Sequence, residues 1–500
     1  MDGGGGGRPR AVFMAFGTRG DVFPIAALAA AFARDQRQYT VVFISHSAHQ
    51  SLSTHLADCN VRYMPVSSPP VLAAEQFESI SCDSLQSAVE HDSFSQTKKI
   101  IQIEHRKECL SAVEDVFGND TSIRSDFIVI NFFALEGWHL AELFQVKCII
   151  AAPYFVPYSA PASFERQFKQ SLPLLYKYFQ EAPPNTVCWT DITHWMWALF
   201  MEITDLPLWY VREESPLLLY GFSKEIVECP GYWPFSAHAC GFWFLPMAWQ
   251  FSCNKCKELL CGNTSYSYGG ILCVTHAALE RFITGNSSSL PIFIGLSSIG
   301  SMGFLRNPKA FLMVLKAVIE KTRYRFILFS SGYQPLDSAI QSIAASVAES
   351  SEWQASTLHC DSTLLFNSRL FCFSGSIPYS WLFPKCAVAI HHAGSGSTAA
   401  ALFAGVPQIA CPFLLDQFYW AERLHWLGVA PEALQRQYLI PETNNASSIN
   451  NAADVLSGAI KSALSLEIKA QATRIADKLS SEDGIGEALR ILKEKVLTQS

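Results

Sequence analysis

Residues 391–398 read His-His-Ala-Gly-Ser-Gly-Ser-Thr and lead through an alanine-rich run to Gly-Val-Pro at 405–407. Gly394 and Gly396 leave backbone N–H groups unshielded, Ser397 and Thr398 fall at a helix start, and His392 adds a donor that can carry charge. A helix N-terminus attracts anions through free N–H groups and the macrodipole, so this stretch could hold a diphosphate without a metal. The plain alternative is a strand-to-helix turn, with Gly405 at the C′ position of the helix. A P-loop is excluded because no Gly-Lys pair occurs. A metal held by both His391 and His392 is disfavoured, since neighbours near a strand end point to opposite faces.

Three more loops carry usable side chains. In "FGTRGDVFP" (16–24) a strand ends at Phe16 and a helix is expected near Pro24, suited to a first turn. Gly17 and Gly20 let the backbone bend close to a ligand, with Thr18 and Arg19 between them. Asp21 then stands just before the helix, either as an N-cap or as a general base, and a capping position would lower its pKa. "GLSSIGSMGFL" (295–305) repeats this kind of turn, offering Ser297, Ser298 and Gly300. In "CPFLLDQFYWAERLHWLG" (411–428), Asp416 and Gln417 precede a helix ending at Gly428. Asp416 reads as an N-cap, or the two form an acceptor beside a donor for sugar hydroxyls.

These loops need strands to aim them. Apolar runs at 11–16, 40–45, 127–131 and 146–152 form one block, and runs at 291–296, 325–330, 369–374, 386–392 and 407–411 form a second. Continuous apolar strands separated by helices imply parallel sheets covered on both faces, hence two doubly wound α/β domains. Ligands bind such sheets beyond the carboxyl ends of the strands, where all four loops lie. No G-x-G-x-x-G opens either block. Residues 1–10 read as a disordered lead-in, 11–245 as the first domain, 246–289 as a linker, 290–465 as the second domain and 466–500 as closing helices that return to the first.

The chain of 500 residues has 49% hydrophobic and 16% charged residues, against a usual charged share of about 25%. Such a chain can bury large cores and keep apolar surface for an apolar ligand. A net charge of −7 without a basic block argues against nucleic acid as a partner. An aromatic insert at 153–244 reads as helical core packing, or as a wall for a large flat apolar ligand. The 15 cysteines are scattered and no secretory signal opens the chain, which points to free thiols in the cytoplasm. Cys253, Cys256 and Cys261 cluster, but a zinc site needs a fourth ligand and no second C-x-x-C follows, so no metal is expected. The run at 194–211 comes closest to a membrane span, but Glu202 and Asp205 interrupt it.

Taken together the loops resemble a family. "GTRGDVFP" (17–24), "WLFP" (381–384), "HHAGSGST" (391–398), "AGVPQ" (404–408) and "DQFYWAER" (416–423) match, in order, motifs of the sterol 3-β-glucosyltransferases and the related antibiotic-type glycosyltransferases. The resemblance implies the GT-B fold, two facing Rossmann-like domains with a cleft between them. It implies a glycosyltransferase that uses UDP-glucose without a metal cofactor and inverts the anomeric carbon. It assigns Ile377 and Pro378 to the uracil, and Ser298, His392, Gly394, Gly396, Ser397 and Thr398 to the diphosphate. Asp416 and Gln417 go to the glucose hydroxyls. Asp21 becomes the general base in the loop Gly17, Thr18, Arg19, Gly20, facing a sterol or another lipophilic acceptor, with peripheral membrane contact suited to such a substrate. The chain departs from the family at Ala393, at Ser395 and at Ser297, where glycine, alanine and glycine are usual.

Overall fold

A computed structural model describes residues 8–71, 86–118, 125–156, 162–183, 186–189, 192, 216–231, 233, 235–251, 253–256, 258, 272–273, 276–285, 289–330, 332–350 and 362–497. The chain divides into two compact units, the first reaching to Leu245 and resumed from Glu482, the second running from Pro246 to Ser481.

The first unit is built on a sheet of seven strands in the order β3-β2-β1-β4-β5-β6-β7, every pair parallel. They are β1 (Arg10–Met14), β2 (Thr40–His46), β3 (Val61–Val66), β4 (Phe127–Ile130), β5 (Lys147–Ala152), β6 (Leu217–Tyr220) and β7 (Ala237–Ala239). The central strands are buried on both faces, as their unbroken apolar runs require. Strand β3 escapes the apolar pattern because it is an edge strand, where Arg62 reaches solvent and Pro65 costs no ladder bond. Phe13, Phe32, Tyr39 and Phe127 pack ring against ring beneath the sheet and lock helix α1 (Arg19–Asp35) to it. Each such buried ring contributes about 1.5–3 kcal/mol. The Arg10 guanidinium grips the buried carboxylate of Asp126 at 2.7 Å, fixing β1 beside β4.

The second unit has six strands in the order β10-β11-β9-β8-β12-β13. These are β8 (Ile292–Gly295), β9 (Phe326–Phe329), β10 (Ser362–Leu365), β11 (Leu370–Phe373), β12 (Val388–His391) and β13 (Gln408–Ala410). One strand breaks the expected all-parallel pattern: β10 runs antiparallel to β11. Only four residues join them, and Phe366, Asn367 and Ser368 all take positive φ, so the chain turns back instead of crossing over.

Residues 466–500 do not act as one piece. The helix Leu466–Leu479 stays with the second unit, where the small residues Ala472 and Ala476 pack close to Gly405. Only Glu482 onward belongs to the first unit, where Gly484 presses on Gly241 and Trp243 Nε1 donates to Gly484 O at 3.0 Å. Of the aromatic insert, Phe155, Tyr220, Phe222 and Trp233 form a packed core cluster. The run 194–211 and Cys261 lie outside the described residues. Among the described residues no helix is long and apolar enough to cross a membrane.

Candidate active site

In the first unit the strand order reverses between β1 and β4, which opens a crevice at their carboxyl ends. The loop after β1 and Asn131 after β4 meet there. Helix α1 begins at Arg19, five residues before the expected start at Pro24, and Thr18, not Asp21, is its N-cap. Asp21 lies in the first turn, where its Oδ2 accepts from the Thr18 N–H and hydroxyl at 2.7 Å each. These bonds stabilise a helix start well upstream of the proline. Gly17 has φ +103, and a Cβ there would stand 2.7 Å from Asp21 Oδ2, so only glycine lets the loop close over the carboxylate.

The electrostatics also differ from the expectation. Burial raises the Asp21 pKa to about 6, outweighing the two Thr18 hydrogen bonds that pull it down. Desolvation thus overrides the helix dipole and yields a carboxylate suited to general-base work near neutral pH.

Residues the sequence reading did not single out hold this loop. Asn131 accepts from Phe16 N–H at 3.2 Å and donates to Phe16 O at 2.8 Å and to Asp21 O at 3.2 Å. The Gly17 N–H donates to His46 Nε2 at 3.1 Å, which leaves the His46 proton on Nδ1, facing Ser68 Oγ at 3.1 Å. Burial holds His46 down to about 4, so it stays neutral beside the loop. His49 Nε2 lies 2.9 Å from Gly17 O, and His105 Nδ1 lies 2.8 Å from Ser68 Oγ. The only sequence signal was the "SHSAH" run (45–49) that ends β2, which carries two of the three histidines at a carboxyl strand end.

In the second unit the order reverses between β8 and β12, and the loops after these strands flank the crevice. Helix α2 (Ser395–Phe403) has Gly394 as N-cap, so Ser395, Gly396 and Ser397 fill its first three positions, whose N–H groups have no partner within a helix. Its far end is closed at Gly405, φ +65, with Gly405 N–H on Leu402 O and Val406 N–H on Ala401 O. Thr398 sits one position deeper than expected. Its N–H donates to Gly394 O at 3.0 Å and its side chain is wholly buried.

The two histidines separate as their strand position requires. His391 is fully buried, accepting from Ala393 N–H at 3.0 Å on Nδ1 and donating from Nε2 to Gln408 Oε1 at 2.8 Å. His392 is half-buried on the other face, and burial lowers its pKa to about 3. Its ring folds over Gly394, where a Cβ would lie 2.6 Å from His392 Nε2. Ala393 holds φ +62, the left-handed region, which explains physically why glycine suits this position.

The remaining candidates divide. Ser298 lies in the short helix α3 (Ser297–Ser301), but its side chain is outside the described residues. Gly300 offers no free N–H, since it donates to Leu296 O at 3.0 Å, and its Cα lies against the Tyr333 ring. Ile377 and Pro378 are buried after β11. Asp416 occupies the N-cap position of helix α4 (Gln417–Trp426), yet its Oδ2 takes the Trp420 indole N–H at 2.9 Å. Gln417 Oε1 accepts from Phe413 N–H at 2.9 Å and Leu414 N–H at 3.2 Å, so the loop itself consumes its carbonyl and leaves the amide N–H₂ as the donor for a ligand.

Known proteins resemble this chain in sequence and in fold. The family model of the erythromycin biosynthesis protein CIII-like C-terminal domain matches residues 367–480. The chain is 22% identical over 506 residues, 98% of its length, to a sterol 3-beta-glucosyltransferase of Komagataella phaffii, of which it covers 35%. Over 112 residues, 22% of the chain, it is 37% identical to the sterol 3-beta-glucosyltransferase UGT80B1 of Arabidopsis thaliana, of which it covers 16%. The chain thus spans well under half the length of these relatives. Its fold matches a UDP-glucosyltransferase from Polygonum tinctorium with a TM-score of 0.55 at 12% identity, over 97% of this chain and 98% of that one. In sequence this chain is similar to the sterol 3-beta-glucosyltransferases, and its two parallel-sheet α/β domains give it the GT-B glycosyltransferase fold.

Proposed function

We propose that the chain is an inverting glycosyltransferase that moves glucose from UDP-glucose to the hydroxyl of a sterol or a similar lipophilic alcohol. The observation that carries this reading is Asp21, a carboxylate with a pKa near 6 held at the switch point of the first sheet by Thr18, Gly17 and Asn131. The sterol class rests on the relatives named above.

Asp21 takes the proton from the acceptor hydroxyl as its oxygen bonds to the anomeric carbon. The bond from that carbon to the diphosphate oxygen breaks on the opposite face, and UDP leaves with the electron pair. The first-turn N–H groups of α2 and the His392 side chain stabilise the charge on the leaving diphosphate, with no metal required. Asp416 and the Gln417 amide orient the sugar.

The test is incubation of purified protein with UDP-glucose and a panel of sterols and phenols. A β-glucoside with stoichiometric UDP is expected, and a sterol should outcompete a phenol in mixture. A folded protein that turns over no hydroxylated lipid refutes the proposal.

A further inference from the structure

Away from these loops, the second unit gathers four side chains of one chemical kind. Cys253 and Cys256 are spaced C-x-x-C, and Cys273 and His276 repeat the interval as C-x-x-H. Their ligand atoms all lie within 4.8 Å of one another. Cys253 Sγ is 3.6 Å from Cys273 Sγ, and His276 Nδ1 is 3.2 Å from Cys256 Sγ and 3.4 Å from Cys273 Sγ. Cys256, Cys273 and His276 are buried, at 1%, 4% and 6% exposure. Cys261, the third cysteine of the sequence cluster, lies outside the described residues.

The distances discriminate between explanations. A disulfide needs sulfurs about 2.05 Å apart, so the 3.6 Å separation shows free thiols. Zinc binds thiolate at about 2.3 Å and imidazole at about 2.0–2.1 Å, so the edges of its tetrahedron are about 3.8 Å between sulfurs and about 3.5 Å between sulfur and nitrogen. The three separations quoted above fall within a few tenths of an ångström of these values, and the remaining pairs lie within 4.8 Å. Thiols are weak donors and weak acceptors, so three of them around an imidazole satisfy one another poorly without a cation. The other buried cysteines of the described residues, such as Cys240, Cys372 and Cys411, join no such group.

We propose that Cys253, Cys256, Cys273 and His276 form a closed Cys₃His site for a structural Zn²⁺. Three thiolates and an imidazole select zinc over the hard cations Mg²⁺ and Ca²⁺, and four protein ligands leave no open position for catalysis. The site has a structural target. His276 packs edge-on against Phe373, the last residue of β11, at 5.4 Å between centroids. Ser376, three residues on, donates to Gln250 O at 3.5 Å. The metal therefore ties Cys253 and Cys256 to Cys273 and His276 and staples this cluster to the carboxyl end of β11, next to Ile377 and Pro378.

Elemental analysis of the full chain, purified without a metal-binding tag or chelator, should find about one zinc per chain. Cys256→Ser and His276→Ala should each lower this below about a tenth, while Cys240→Ser leaves it unchanged. A ligand variant can lose zinc by unfolding, so cobalt exchange into the native chain gives a second readout. Tetrahedral thiolate ligation gives intense ligand-field bands and a sulfur-to-cobalt charge-transfer band. Zinc below about a tenth per native chain, an octahedral cobalt spectrum, or a Cys253–Cys273 disulfide found by mass spectrometry would each overturn the proposal.

Discussion

Replacing Asp21 by asparagine should separate catalysis from stability. Asparagine keeps the shape of the carboxylate and presents one oxygen to the Thr18 N–H and hydroxyl, the two donors that now share Oδ2. What it removes is the buried charge. Burial holds the folded pKa near 6 against an ordinary value of 3.8. Above pH 6 the wild type therefore carries an ionised group that the unfolded chain solvates better, at a cost of about 2–3 kcal/mol, the lower figure allowing for partial exposure of the side chain. As pH falls through 6 the folded state takes up a proton before the unfolded state does, and the cost disappears by about pH 4. The variant should thus be more stable than wild type at pH 8, and the two should converge near pH 4. At roughly 2–4 °C per kcal/mol, the gain should appear as a rise of about 5–10 °C in the midpoint of the first unit by scanning calorimetry. In the same variant kcat/KM should fall by about 10²–10⁴. The wild-type rate should decline below pH 6, tenfold per pH unit, as the base becomes protonated. A variant that keeps more than about a tenth of the activity, or gains no stability at pH 8, would refute the reasoning.

Three further substitutions probe the supports. Asn131→Ala removes three hydrogen bonds from a fully buried side chain and should cost about 2–4 kcal/mol in denaturant unfolding, lowering kcat as the Asp21 loop loosens. Ala393→Gly relieves a left-handed residue and should stabilise the chain by up to about 1 kcal/mol, with a lower Kd for UDP by titration calorimetry. Trp420→Phe removes the donor to Asp416 Oδ2 and should raise KM for UDP-glucose about tenfold, while kcat changes less.

Much of this architecture could be read from the chain because the relevant physics is local. The central strands of both sheets are buried on both faces, so their apolar runs stand out, and the loops after β1, β8, β12 and β13 follow at their carboxyl ends. The helix stop at Gly405 and the division of labour between His391 and His392 rest on the left-handed cap and on strand alternation, both properties of neighbouring residues.

Where the outcome depended on distant partners, the sequence was silent or misleading. Edge strand β3 and the short β10 carry little apolar pattern because one has no second neighbour and the other is set by its turn. Helix α1 is a local exception: it starts at Arg19 because Thr18 and Asp21, three residues apart, close its first turn, although proline at 24 advertised a later start. Asp21 gained a raised pKa from burial, which only packing supplies, although its helix position alone would have lowered it. Asn131, 110 residues from Asp21, and the pairing of Cys253 and Cys256 with Cys273 and His276 exist only once the chain has folded. Sequence determined which segments become strands and which loops carry chemistry, because period and turn residues act over a few positions. Tertiary structure decided protonation, partners and ligand sets, because desolvation and convergence depend on atoms brought in from far along the chain.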